Sequence, residues 1–218
     1  ALTERLTEAA EQAEPVVLGA GADPYGGDAG HRGRTRRLLE AFRDVEGAEL
    51  RLVTATPIVL CDLDLLAELD VDSALSVEMV LPTADPNLAR RLEPGAPGPA
   101  ERLGALREIA AQGIASTLRV APLMPGINDG LERLRPLLAA GAELGAVDVT
   151  ASPLRLPWRQ RRTFFAWLET EAPESVAEYR RLYRWRRVLP AERAEAMLAD
   201  FEVLRLEHGF PRGLPGRS

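Results

Sequence analysis

The sequence predicts an α/β fold in which parallel strands are joined by helical crossovers. Short apolar runs alternate with amphipathic segments at spacings of about 25–40 residues, which is the pattern of repeated βα units. A loop marked by Gly or Pro residues follows each apolar run. From Phe164 onward the periodicity is helical only. This change predicts that the chain ends in helices that cover the sheet.

Each expected strand is a short, mostly apolar segment that stops at a chain-breaking residue. Val16-Val17-Leu18 runs into the glycine-rich segment 19–33, and the third strand is followed by Pro82. The five strands are expected at 16–19, 50–54, 74–80, 117–121 and 147–151.

Helices are expected between the strands, where apolar residues recur every three or four positions. They are expected at 1–12, 35–45, 60–69, 86–92, 99–112 and 131–144. No linker is long enough to divide the core, so one structural domain is expected. Within it, we assign residues 1–160 to the βα core, 161–208 to the helical cover and 209–218 to a flexible tail rich in Gly, Pro and Arg.

Composition favours a globular protein of the cytoplasm. Charged residues make up 28% and hydrophobic residues 46% of the chain, which are ordinary values for such proteins. A net charge of −6 argues against general nucleic-acid binding. No apolar run approaches the roughly 20 residues of a membrane span. Cys61 is the single cysteine, which excludes an internal disulfide and fits a reducing compartment.

Candidate ligand-binding residues lie in the loops that follow the strands, because parallel α/β folds bind ligands beyond the carboxyl ends of their strands. These loops open at Gly19, Thr54, Val80, Ala121 and Ala151. The first contains four glycines and Asp23, whose carboxylate could hold an ammonium or a hydroxyl group. Asp-Pro is also ordinary turn chemistry, so a long βα turn is the alternative.

Other polar residues have a ligand-binding and a structural interpretation. Ser76 and Glu78 share one face of a strand. If that face is buried, they need polar partners or a ligand; the alternative is that this end of the strand is exposed to solvent. Glu93 and Arg102 could form an ion pair, or Arg102 could grip a carboxylate. Arg155 follows the last strand, where a guanidinium can bind an anion or simply face water.

Two further patterns carry less functional weight. His31 and His208 lack the spacing of metal ligands, so we predict no metal site from them. Aromatic residues interleave with Arg between 164 and 187, which is typical of nucleic-acid stacking but also of helices that pack their aromatic side inward. We favour the second interpretation.

Five short motifs, in a fixed order over roughly residues 15–170, resemble the radical SAM proteins of the spore photoproduct lyase-like group. They are Asp23-Pro24-Tyr25, Cys61–Leu66, Arg91–Pro94 with Glu101–Leu103, Pro122–Asp129 and Leu154–Pro157. The resemblance implies a partial (β/α)6 barrel. For this chain it therefore implies an incomplete parallel (β/α) barrel of about five strands with a helical carboxyl-terminal cover.

The same resemblance implies cofactors. Members of that group use S-adenosylmethionine and a [4Fe–4S] cluster, held by a C-x-x-x-C-x-x-C loop, to make a 5′-deoxyadenosyl radical. Cys61 matches no cluster position, so we expect that this chain as given cannot hold the cluster and lacks the first strand and cluster loop. The resemblance assigns cofactor contacts to Asp23, Ser76, Glu78, Glu93, Arg102, Asn128 and Arg155.

Three functions follow from these observations. One is a radical SAM enzyme that acts on a nucleic-acid base or a small molecule, of which this chain is a fragment. Another is a divergent, cluster-free barrel that binds a small ligand, such as an adenosine-type molecule, or a partner protein. The third is a (β/α) enzyme of another chemistry, with Asp23, Glu78 and Arg155 as acid, base and anchor.

Overall fold

The computed structural model describes residues 2–211 except residues 13, 28, 46 and 73. The strands are β1 (Val16–Leu18), β2 (Glu49–Thr54), β3 (Ala74–Val80), β4 (Ala115–Leu123) and β5 (Asp148–Pro153). Within the described residues they form one parallel sheet whose spatial order equals the chain order. The predicted parallel sheet of five strands is confirmed, and β1 lies at one edge of it.

Helices occupy the crossovers and the carboxyl-terminal region. They are α1 (Leu2–Glu11), α2 (Ala29–Arg43), α3 (Leu63–Asp72), α4 (Pro86–Leu92), α5 (Pro99–Ala111), α6 (Leu131–Glu143), α7 (Arg161–Glu171), α8 (Val176–Leu182) and α9 (Ala191–Glu207). Short 3-10 helices cover Pro57–Asp62, Trp158–Gln160 and Pro173–Ser175. No helix in the described part of the chain is long and apolar enough to cross a membrane.

Two helices differ from the sequence expectation. The helix expected at 35–45 begins at Ala29 and ends at Arg43, so it includes Gly30 and Gly33 despite the low helix propensity of glycine. The helix expected at 60–69 is preceded by a 3-10 turn. Thr56 caps that turn by accepting a hydrogen bond from the backbone N–H of Ile58, so the chain is already coiled before α3 begins.

Strand β4 continues past its expected end at residue 121 and includes Pro122. Its pairing with β5 shifts register between Val120 and Leu123. Proline cannot donate to a β ladder, and a register shift is one of the places where a strand tolerates it. The proline therefore marks an irregularity in the strand, and the loop begins after Leu123.

The two faces of the sheet differ in chemistry. Leu52, Val77 and Leu118, on one face, are fully buried beneath the helices. The opposite face carries Arg51, Glu78, Thr117 and Arg119 and is called the inner face below. Because side chains alternate along each strand, this division follows from the polar and apolar positions of β2, β3 and β4.

The carboxyl-terminal helices pack onto the sheet edge and onto α6. Arg205 of α9 is 4% exposed and pairs with Asp148 at the start of β5. The segment predicted to be a flexible tail, 209–218, lies mostly outside the described residues. Phe210, which is described, is 6% exposed and belongs to the hydrophobic core.

Gly19, directly after β1, lies against the backbone of Val53 in β2. A substitution at Gly19 therefore tests the close approach of these two strands. Its φ is +102°, and a Cβ at this position would lie 2.0 Å from the carbonyl oxygen of Val53. We expect Gly19→Ala to lower the free energy of unfolding by at least about 2 kcal/mol, measured by urea denaturation.

Gly104 in α5 provides the matched control. Apart from its chain neighbours and the nearby backbone of its own helix, no heavy atom lies within 4 Å of a Cβ built at Gly104. The position is helical. Gly104→Ala should leave stability unchanged or raise it by up to about 1 kcal/mol. Equal effects of the two substitutions would contradict the close approach of β1 and β2.

Candidate functional site

A cavity of ≈ 550 Å³ opens at the carboxyl edge of the sheet. It lies between the loops that follow β3, β4 and β5 and the start of α7. Its wall is apolar and is formed mainly by Pro82, Pro122, Met124, Leu154, Leu156, Phe164 and Trp167. Its polar side chains are Glu93, Arg159, Gln160 and Thr163. This size and composition are typical of a site for a small organic ligand.

Asn128 holds two walls of the cavity together. Its side chain is 1% exposed. Its Nδ2 donates to the carbonyl oxygens of Pro82 at 2.8 Å and Pro122 at 3.0 Å, and its Oδ1 accepts from the N–H of Met124 at 2.7 Å. All of these partners line the cavity. Asn128 is therefore a positioning residue that joins the loops after β3 and β4.

Arg102 is also committed to internal contacts. It is 1% exposed and donates to the carbonyl oxygens of Pro97 at 3.0 Å and Val80 at 2.9 Å. Its Nη2 donates to Oε2 of Glu93 at 2.7 Å, which makes the ion pair that the sequence suggested. A buried guanidinium needs such partners, since an unpaired buried charge is costly. Glu93, whose side chain is 30% exposed, is the member of this pair that lines the cavity.

Asp23 joins the loops that follow β1 and β2. Its Oδ1 accepts from the N–H of Tyr25 and from Oγ1 of Thr54, both at 2.9 Å, and its Oδ2 accepts from the N–H of Ala55 at 2.7 Å. It lines a separate depression of ≈ 180 Å³. The turn interpretation of Asp23 is thus the one that its contacts favour.

Two of the sequence motifs meet in one buried contact. The hydroxyl of Tyr25 donates to Oδ2 of Asp62 at 3.0 Å, while Nη1 of Arg36 donates to Oδ1 of the same carboxylate at 2.6 Å. Burial, together with the negative charge of Asp62, raises the pKa of Tyr25 well above its ordinary value. The motifs that begin at Asp23 and at Cys61 therefore support each other structurally.

The inner face carries a charged network that sequence reasoning found only in part. Glu78 is 9% exposed, and its Oε2 accepts from Nη1 of Arg119 at 2.7 Å. Nε of Arg51 lies 3.6 Å from Oε1 of Glu78, and Nη2 of Arg119 donates to Oγ of Ser152 at 3.0 Å. Ser76 lies beside Arg51 in the register of the two strands. The alternation of Arg51 with the apolar Leu50 and Leu52, and of Thr117 and Arg119 with Leu118, was the available signal for the two missed arginines.

The predicted cofactor-binding residues lie at several places in the structure. Arg155 is exposed, whereas its neighbours Leu154 and Leu156 line the cavity. Of the predicted set, Glu93 lines the cavity, Arg102 and Asn128 hold its walls, Ser76 and Glu78 lie on the inner face, and Asp23 and Arg155 lie elsewhere. Their assignment to a cofactor stays a prediction.

Two buried tyrosines join the helical cover to the loops that follow β4 and β5. The hydroxyl of Tyr179 donates to the carbonyl oxygen of Pro125 at 3.0 Å, and that of Tyr183 to Leu154 at 2.8 Å. The two rings stack with centroids 5.9 Å apart, and Phe164 packs on Tyr179 at 5.5 Å. The inward packing that we favoured is confirmed for Phe164, Tyr179 and Tyr183. Phe165 lies beside Arg161, and Trp185 is 77% exposed.

Comparison with solved structures shows which fold this arrangement belongs to. A spore photoproduct lyase variant with bound AdoMet and dinucleoside spore photoproduct superposes with a TM-score of 0.70 at 19% identity, over 94% of this chain and 62% of the lyase chain. A radical SAM methyltransferase from Sphaerobacter thermophilus gives a TM-score of 0.53 at 17% identity, over 96% of this chain and 55% of that one. The chain therefore has the radical SAM fold, in the form of a partial parallel barrel.

Comparison with other sequences extends this likeness. Uncharacterized proteins of Mycobacterium tuberculosis and Mycobacterium bovis are 34% identical to the chain over 196 residues. The match covers 90% of this chain and 57% of the length of those relatives. No family model matches the chain.

The three hydrogen bonds of the Asn128 side chain yield a stability prediction. Asn128→Ala leaves the carbonyl oxygens of Pro82 and Pro122 and the N–H of Met124 without their partner. We expect the free energy of unfolding to fall by about 3 kcal/mol, because each unsatisfied buried polar group costs about 1–3 kcal/mol. Asn87→Ala, at an exposed position of α4, should change it by less than about 0.5 kcal/mol. Comparable midpoints of denaturation for both variants would contradict the role of Asn128 in joining the two loops.

The buried tyrosines predict how stability depends on pH. Tyr25, Tyr179 and Tyr183 are the three tyrosines of the chain, and burial raises the pKa of each hydroxyl above its ordinary value. The unfolded state therefore loses these protons first as the pH rises. Stability from this source is complete below the ordinary pKa of about 10 and declines above it. Tyrosinate absorbance, followed together with circular dichroism, should rise only when the chain unfolds, and a reversible titration of the folded chain near the ordinary pKa would contradict this.

Proposed function

We propose that the chain is the barrel portion of a radical SAM protein related to spore photoproduct lyase. We further propose that its cavity binds the adenosyl group of S-adenosylmethionine. The observation that supports this most directly is the position of the apolar cavity, at the carboxyl edge of a sheet with the radical SAM fold. The proposal includes a cytoplasmic location, which the single cysteine supports.

The cavity walls suit an adenosyl group. Phe164, Met124 and Leu154 offer apolar and aromatic surface for a heteroaromatic ring. Glu93 and Thr163 offer oxygen atoms that can accept hydrogen bonds from hydroxyl or amino groups. Asn128 and Arg102 act indirectly in this proposal, by fixing the loops that form the walls.

Radical SAM enzymes also need a [4Fe–4S] cluster, and the proposed S-adenosylmethionine site is distinct from the question of where that cluster is held. When S-adenosylmethionine is bound at a reduced [4Fe–4S] cluster, the pair supplies a 5′-deoxyadenosyl radical. Cys61 is the single, exposed cysteine of this sequence, and the described residues contain no group of His, Cys, Asp and Glu arranged to hold a metal ion. These residues do not fit the cluster, so we derive no radical step from them.

A cluster-free binding module is the second candidate. The resemblance assigns Asp23, Arg102 and Asn128 to cofactor binding. In this structure their side chains instead form hydrogen bonds within the protein that hold loops together, which favours this candidate. In this form the cavity binds a small organic ligand, and the barrel acts as a scaffold for it or for a partner protein. In the enzyme form the substrate is a nucleic-acid base or a small molecule.

A pair of tryptophan substitutions on α7 tests the S-adenosylmethionine site. Thr163 lines the cavity and is exposed, so Thr163→Trp should fill part of it without disturbing the core. Thr170 is exposed on the same helix but does not line the cavity, so Thr170→Trp is the matched control. In calorimetric titration with S-adenosylmethionine, we expect T163W to weaken binding at least about tenfold, or 1.4 kcal/mol, and T170W to change it less than about twofold.

Other results separate the two candidates. Absence of binding heat at about 1 mM ligand, with circular dichroism that confirms folding, would contradict the S-adenosylmethionine site. The cluster-free module would then stand, and titration with adenosine and with other small aromatic ligands would test it. Equal weakening by T163W and T170W would place binding outside the cavity.

A further inference from the structure

A second depression, lined by arginine, lies on the other side of α7 from the cavity. It has a volume of ≈ 790 Å³ and is formed by Arg161, Arg162, Phe165, Arg180, Arg181 and Arg184. These residues come from α7, α8 and the segment just after α8. The whole chain carries a net charge of −6, so this concentration of guanidinium groups runs against its overall charge.

Arg161 is held in place but lacks an acceptor. Its guanidinium carbon lies 4.6 Å from the ring centroid of Trp158 and 5.8 Å from that of Phe165, so both rings orient it through cation–π contacts. Its Nη1 is buried, and no hydrogen-bond partner for it exists in the described structure. Buried polar atoms are nearly always paired, so this donor is available to a water molecule or to an acceptor on a ligand.

The other arginines are also available for a ligand. Arg180 donates to Glu169 at 2.9 Å, an exposed pair at the edge of the depression. Arg162, Arg181 and Arg184 are exposed, and no carboxylate of the described residues lies within ion-pair distance of them. Like charges gathered without counter-charges repel each other, and a bound anion would remove that repulsion.

We propose that this depression binds a compact ligand that carries two or three phosphate groups, with Arg161 at its centre. Guanidinium groups bind phosphate oxygens through paired, charge-assisted hydrogen bonds, and several such groups around one site suit a multiply charged ligand. Glu169 at the edge, together with the negative charge of the chain, disfavours a long polyanion such as a nucleic-acid strand. A nucleoside polyphosphate and an inorganic polyphosphate both satisfy this phosphate chemistry. This site is separate from the cavity and does not depend on the function proposed for it.

Calorimetric titration of the 218-residue chain with ATP and with inorganic tripolyphosphate, at low salt, tests the proposal. Arg161→Gln should weaken the binding of both ligands at least about tenfold, because it removes the central, pre-oriented donor. Arg135→Gln is the control: Arg135 is an exposed residue of α6, paired with Glu207, and the substitution makes the same change in net charge. It should alter affinity less than about twofold.

A second variant keeps the test decisive if Arg161→Gln disturbs folding. Arg184 is exposed, and Arg184→Gln should weaken binding about three- to tenfold while circular dichroism stays unchanged. Tighter binding of ATP than of tripolyphosphate would assign a role to the base, and equal binding would assign the affinity to the phosphates alone; both support the site. The proposal is overturned if neither ligand binds at about 1 mM, if R135Q matches R161Q, or if a single-stranded oligothymidylate binds more tightly than both.

Discussion

Polar side chains at the carboxyl edge of the sheet hold the loops of that edge together. Loop backbone groups that leave water need hydrogen-bond partners, and side chains supply part of them where no backbone group is in reach. Asn128 supplies them between the loops after β3 and β4, and Asp23 between the loops after β1 and β2. Tyr179 and Tyr183 do the same between the cover and the edge. The cavity therefore depends on a small number of hydrogen-bonding groups as much as on its apolar walls.

The order of strands and helices could be predicted from the sequence because the sheet is built from adjacent βα units. Each strand pairs with the next one in the chain, so local periodicity was sufficient. The predicted start of α2 was wrong because the glycine-rich segment 19–33 was taken as a loop to its end, whereas Gly30 and Gly33 lie in the helix. The end of β4 was wrong because Pro122 was taken as a terminator, although a register shift lets the strand continue.

The roles of the site residues could not be predicted as well as the fold. Asp23 and Asn128 stand in the expected loops and Arg102 stands in the expected helix, but a sequence cannot show whether their polar atoms face a ligand or a backbone group. Arg51 and Arg119 were missed because their meeting with Glu78 depends on the register between strands, which is set by pairing far apart in the chain. Asp23 and Asn128, which belong to two of the family-like motifs, hold loops together in this structure.

The helix α7 is where the two candidate binding surfaces separate. With the turn before it, it directs Gln160, Thr163 and Phe164 to the apolar cavity and Arg161 and Phe165 to the arginine-lined depression. This division follows from helical periodicity, since residues four apart share a face and residues one or two apart do not. Arg102 and Glu78 in the barrel are paired with other charged side chains, whereas Arg161 in the cover retains a buried donor without an acceptor. The two candidate binding surfaces therefore adjoin at α7, one on each side of the helix.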